Sequence, residues 1–185
     1  DPEAAKALYL EALDIGRRGK PARIALTLLC TLLAAFVANP LHLAMLLVAI
    51  LIWELAAAPV VESRTIGALQ KGMSGARALR ASFFSIAFGG TLYLSWALIV
   101  GLSGSETGRF IAAAWLVGSI LHGVVYYSRS GELLIPSAGF PALTLVSLPW
   151  LQHGFSWDAF LASAISVYLV VAAGSFLLDR NDLLE

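Results

Sequence analysis

From Ala81 to Leu102 the chain runs 22 residues without a charged side chain. As an α-helix rising 1.5 Å per residue, such a run is about 33 Å long, enough to cross the hydrocarbon of a bilayer. Five more runs of the same character flank it, at about 24–38, 41–61, 110–128, 133–151 and 159–178. Hydrocarbon offers backbone N–H and C=O groups no partners, so a crossing segment has to close its own hydrogen bonds. A barrel strand would alternate apolar and polar residues over about 10 positions. These runs are apolar on every face. The expected fold is therefore all-α: a polytopic membrane helix bundle with six transmembrane helices. Composition agrees, because 59% of the residues are hydrophobic and 13% charged, where a soluble domain carries about 25% charged residues.

Charge placement sets the expected orientation. Lys6, Arg17, Arg18, Lys20 and Arg23 precede the first run, and Arg64, Lys71, Arg77 and Arg80 lie between the second and third. Arg129 follows the fourth and Arg180 the sixth, so all but Arg109 of the 12 lysine and arginine residues share one side. Basic loops stay cytoplasmic. Both termini are expected on the cytoplasmic side of the membrane. The outer connections are short (Asn39-Pro40, Ser103 to Arg109 and Gln152 to Asp158), which leaves no extracellular domain. Trp150, Phe155 and Trp157 flank the last of them, as interfacial aromatics do.

The chain divides into a juxtamembrane segment (1–21), the six-helix domain (22–178) and a closing segment (179–185). It opens on Asp1 without a basic n-region and cleavage site, so no secretory signal is read there. The closing Leu183-Leu184-Glu185 reads as the start of something longer. Two segments outside the spans have helical periodicity. Leu8, Ala12 and Ile15 share one face near the start, and Ile66, Leu69, Met73 and Ala76 share one within 62–80. Each is expected to rest on lipid headgroups or to meet a cytoplasmic module.

Ionisable groups inside a span call for a functional account. Glu54 and His122 are the two deep within a span, and each sits about 20 Å below the outer end of its helix. If spans two and four are neighbours, a carboxylate and an imidazole at equal depth can pair. Trp115, Ser119, His122 and Tyr126 follow a 4-3-4 spacing and share one helix face. Trp53 adjoins Glu54, and Tyr93 and Trp96 stand on span three. These eight residues are the candidate binding site for a small hydrophobic ligand. The alternative stays open: Glu54 and His122 tie helices together, and the aromatic stripe is core packing. Pro136, Pro141 and Pro149 mark span five as a hinge or a short tilted helix. Gly89-Gly90, Ala112, Ala113, Gly118 and Ser119 permit close helix approach.

Other chemistry finds no purchase. The single cysteine, Cys30, forms no internal disulfide and no CxxC site. A metal at His42 and His153 would need a third ligand, for which the outer loops offer only Glu106 and Asp158; no nucleotide, protease or kinase motif occurs, and no basic tract suggests nucleic acid. No catalytic residue, metal or cofactor is expected in this chain.

The run Leu121-His122-Gly123-Val124-Val125-Tyr126-Tyr127-Ser128-Arg129-Ser130 resembles the end of a late span in six-transmembrane sensor histidine kinases of proteobacteria. The closing Leu178-Asp179-Arg180-Asn181-Asp182-Leu183-Leu184-Glu185 is similar to the first heptad of their signalling helix. The resemblance implies the sensor region of a homodimeric receptor, with a cytoplasmic kinase supplied from outside these residues. Two other readings fit the same architecture: a substrate-binding subunit of a membrane transporter, and a non-catalytic subunit of a membrane complex held by a membrane-protein partner.

Overall fold

A computed structural model describes residues 2–127 and 131–182. Among them the chain is helical throughout, without strands. Six helices follow one another: α1 (Pro2–Ala34), α2 (Pro40–Gln70), α3 (Gly75–Gly101), α4 (Glu106–Tyr127), α5 (131–153) and α6 (Trp157–Asp182). By length and composition, α2, α3 and α4 can each cross a membrane. Charges at Arg17, Arg18, Lys20 and Arg23 leave α1 a shorter apolar helical part, and α6 has one over Trp157–Ala172.

The breaks have local causes. Asn39 caps α2, its side-chain oxygen accepting from the backbone N–H of Leu41 (3.0 Å) and His42 (3.4 Å), with Pro40 next in line. Proline at the first helical position gives up an N–H that would have no partner there anyway. Gly72 has φ of 94° and Gly154 has φ of 64°, so each turns the chain where a side chain would be strained.

Two helices carry a π turn, and both turns have the same cause. In α2 the N–H of Ala58 reaches Trp53 O, five residues back, and Pro59 follows. In α5 the N–H of Phe140 reaches Ile135 O, and Pro141 follows. Proline cannot donate to the carbonyl four residues before it and its ring crowds that carbonyl. One wide turn just ahead relieves the crowding without ending the helix. The irregularity expected from the prolines of span five is thus a π turn within a continuous helix.

Helix α3 is the hub. It packs on α1, α2, α4 and α5, while α6 lies at the edge against α5 and α4. Two apolar clusters follow from this. The larger gathers Ala34, Leu43, Trp96, Val100, Leu116 and Leu148. The smaller lies at the end that carries most of the cations, called here the basic end. It gathers Tyr9, Ala12, Ala78, Leu79, Tyr127 and Leu133.

The second cluster revises the expectation for the two amphipathic segments. They are not separate helices lying flat. The first is the start of α1, a 33-residue helix about 50 Å long that outruns any bilayer core. The second is the end of α2, the turn 71–74 and the start of α3. Their apolar faces meet each other: Leu8 and Ile15 from the first, Ile66, Leu69 and Met73 from the second, all around Tyr9. Ala76 is exposed, and Ala78 and Leu79 take the buried places instead. Burial pushes the Tyr9 phenol above its ordinary range. An ion pair between Arg17 and Glu62 (3.1 Å) closes the edge. Of the closing segment, 179–182 continues α6, whereas 183–185 and Ser128-Arg129-Ser130 lie outside the described residues.

Candidate functional site

Glu54 sits in the first turn of the α2 π segment, almost fully buried. Arg23 of α1 meets it edge-on, Nε donating to Oε1 at 3.3 Å and Nη2 to Oε2 at 3.0 Å. Tyr93 of α3 adds its hydroxyl to Oε1 at 2.9 Å. The remaining guanidinium nitrogen, Nη1, donates to Gly16 O at 3.1 Å, one side of the α1 surface left open by Gly19. Thr27, buried one turn along, donates to Arg23 O at 2.7 Å. Three helices are thus joined through one carboxylate. The fork geometry of arginine suits this better than a lysine would, because both oxygens are engaged at once.

An aromatic stack rises from this centre. Tyr93 lies on Trp115 of α4, with centroids 6.1 Å apart, and Trp115 on Trp96 at 4.6 Å. Trp96 is fully buried and donates to Thr31 Oγ1 of α1 at 3.0 Å. Trp115 Nε1 is buried without an acceptor. Replacing Thr31 with valine keeps the volume and orphans the Trp96 N–H, so it should cost about 1 kcal/mol. The shift of the thermal midpoint measured by tryptophan fluorescence in detergent checks this, and an unchanged midpoint would mean the contact contributes nothing.

The eight candidate residues therefore divide. Glu54, Tyr93, Trp96 and Trp115 come together. Trp53 is next door, its indole over Gly89 and its ring 4.7 Å from Phe88. Ser119 is spent on its own helix, donating to Trp115 O at 2.9 Å. His122 and Tyr126 form a separate pair, with centroids 4.6 Å apart, and Tyr126 is half exposed.

The expected Glu54–His122 contact is not made. Helix α2 packs on α1 and α3, and α3 stands between it and α4. The pairing was conditional on spans two and four being neighbours, and that condition is not met. The expected partner is replaced by Arg23, which looks in the sequence like one more basic loop residue. The one signal was its place, at the last charge before an apolar run. Tyr93, Trp96 and Trp115 are packed on one another, and Tyr126 borders a small cleft with Leu8, Ala12, Ile15 and Leu133. The larger hollow, about 520 Å³, opens at the opposite end between Val37, Asn39, His42, Leu98, Leu102 and Ser103. None of the eight candidates borders it.

The small residues also sort. Ala112 is buried, and Gly89 and Gly90 face the π turns of α2 and α5. Gly118 faces open space, and the close approach on α4 is made by Gly123 instead.

No known protein family, curated protein or solved structure matches this chain.

Proposed function

We propose that the chain is a six-span sensor domain of a bacterial cytoplasmic membrane, with both termini inside, that feeds a larger receptor of the histidine kinase type. The buried Arg23–Glu54–Tyr93 centre carries the reading. A largely buried ion pair gives little net stability against an apolar alternative, yet it fixes one arrangement over others. Here it stands where three helices meet and where α2 has a π turn, a feature that concentrates at functional sites. The six-span topology draws support from the segregated cations and from the apolar girth, with Leu32, Phe84 and Leu143 each about two-thirds exposed.

The mechanism is a population shift between two packings of the bundle. A small hydrophobic ligand with one acceptor group would pair with Trp115 Nε1, the buried donor without an acceptor. Its entry separates Trp115 from Tyr93 and loosens Tyr93 from Glu54. Helices α4 and α6 are in contact, so the change reaches α6 and whatever follows it. A homodimer would receive it through a coiled coil.

The intact mass of the native gene product tests the reading. A product well above 19.6 kDa, continuing from α6 as a heptad helix into a kinase, is expected. A native product of this size would overturn the receptor reading. In the full-length receptor, Glu54→Gln and Trp115→Phe should then alter the signal response while insertion stays intact.

A further inference from the structure

We propose that the basic end of the α2–α3 hairpin is a binding face for anionic phospholipid headgroups. The cations of this chain are not equally free. Arg17, Arg18 and Arg23 each hold a carboxylate, at 3.1, 2.7 and 3.0 Å. Arg64, Lys71, Arg77 and Arg80 are exposed and have no carboxylate partner among the described residues. The hairpin's one acid between 60 and 80, Glu62, is already held by Arg17. Four positive charges without a carboxylate partner among the described residues therefore gather at one helical turnaround.

Their register points to lipid. Arg77 and Arg80 are three apart on α3, and Phe84 and Phe88 continue the same face at four-residue steps. Phe84 is 69% exposed and Phe88 56%. Arg77 lies about 10 Å from Phe84 along the helix axis. That is the distance from a phosphate to the upper part of its acyl chains, so one face offers guanidinium to the headgroup and aromatic rings to the tail. On α2, Arg64 is exposed with exposed Val60 one turn above it, and Lys71 follows in the turn just past the helix end. An acidic protein segment would find the cations but not the apolar band above them. A zwitterionic lipid would fit the band but leave the net charge unanswered. Juxtamembrane cations draw anionic lipid by about fivefold in association for each one engaged.

The inference rests on the hairpin entering a bilayer, and not on the signalling role. The purified chain is reconstituted into vesicles of phosphatidylcholine alone or with phosphatidylglycerol, and flotation is measured first. Failure to float with either would overturn the spanning reading and this inference with it. Spin-labelled phosphatidylglycerol and phosphatidylcholine then report which lipid is immobilised at the protein. A preference for phosphatidylglycerol of about fivefold or more is expected, weakening as salt is raised. The Arg64→Gln/Lys71→Gln/Arg77→Gln/Arg80→Gln variant should bring the ratio close to one, and Arg109→Gln at the other end should leave it unchanged. Equal association of both lipids, or a preference that survives in the fourfold variant, would overturn the inference while leaving the membrane reading in place. If the fourfold variant does not insert, the wild-type salt titration decides: a preference indifferent to salt counts against headgroup binding.

Discussion

Glu54→Ala should destabilise the bundle by about 3–5 kcal/mol. The loss exceeds the worth of the pair, because it strands Arg23 beside apolar neighbours. A guanidinium cannot shed its charge by losing a proton, whereas a lone carboxyl can take one up and become neutral. Arg23→Ala should therefore cost less than Glu54→Ala, although each removes the same two ion-pair contacts (Nε–Oε1 at 3.3 Å and Nη2–Oε2 at 3.0 Å); Glu54→Ala also loses the Tyr93 hydroxyl bond, and Arg23→Ala the bond to Gly16 O. Two features limit the damage from stranded Arg23. Its side chain is 30% exposed, and Nη1 already holds Gly16 O toward the basic end. The guanidinium can thus slide toward water while its stem stays in place. The double variant Arg23→Met/Glu54→Met removes both charges and fills the space, and should recover to within about 1 kcal/mol of the wild type. Helicity against denaturing-detergent fraction, read by circular dichroism for the wild type, Arg23→Met, Glu54→Met and the double methionine variant, gives the coupling directly. Additive single losses would show that the two residues do not act as a pair.

The sequence revealed some of this arrangement and hid the rest for physical reasons. Length and apolarity are local properties, so the helices and the break at Asn39-Pro40 could be read directly. Depth along a helix is local too, and Glu54 could be recognised as a buried carboxyl needing a partner. The identity of that partner is not local. It depends on which helices touch, and α3 standing between α2 and α4 leaves no trace in the order of residues. Arg23 was counted with the loop charges because a cation next to an apolar run usually anchors at the interface. Its turn inward depends on Glu54, 31 residues away. The continuation of α1 and α2 past the apolar runs was missed for a related reason. Charges end a membrane span without ending a helix, so Pro2–Ala34 continues unbroken across the boundary at residue 21. The α2 π turn did have a sequence sign in Pro59, of the same kind as the prolines noticed in span five.

Gly123→Ala should be among the most damaging single methyls that can be added to α4. A Cβ there would stand 2.8 Å from the Ala138 Cβ, 2.8 Å from the Ala138 nitrogen and 2.8 Å from the Ser137 carbonyl carbon. Two of these are backbone atoms, and they belong to the α5 π turn. A flexible side chain could swing aside, but this backbone is held by the Phe140 N–H to Ile135 O bond and by Ser137 Oγ donating to Leu133 O at 2.7 Å. Nor can α5 retreat freely, since Gln152 Nε2 ties its far end to Gly101 O at 2.9 Å. The expected cost is about 3 kcal/mol, the upper part of the range for overpacking. Gly118 provides the control on the same helix. Nothing lies within 4 Å of a Cβ built there, so Gly118→Ala should leave stability unchanged or raise it by about 0.5–1 kcal/mol through helix propensity. Thermal unfolding of both variants in one detergent separates the two effects. If Gly123→Ala unfolds together with Gly118→Ala, α4 and the π turn of α5 are not in contact, and the packing of α5 onto the bundle would have to be redrawn.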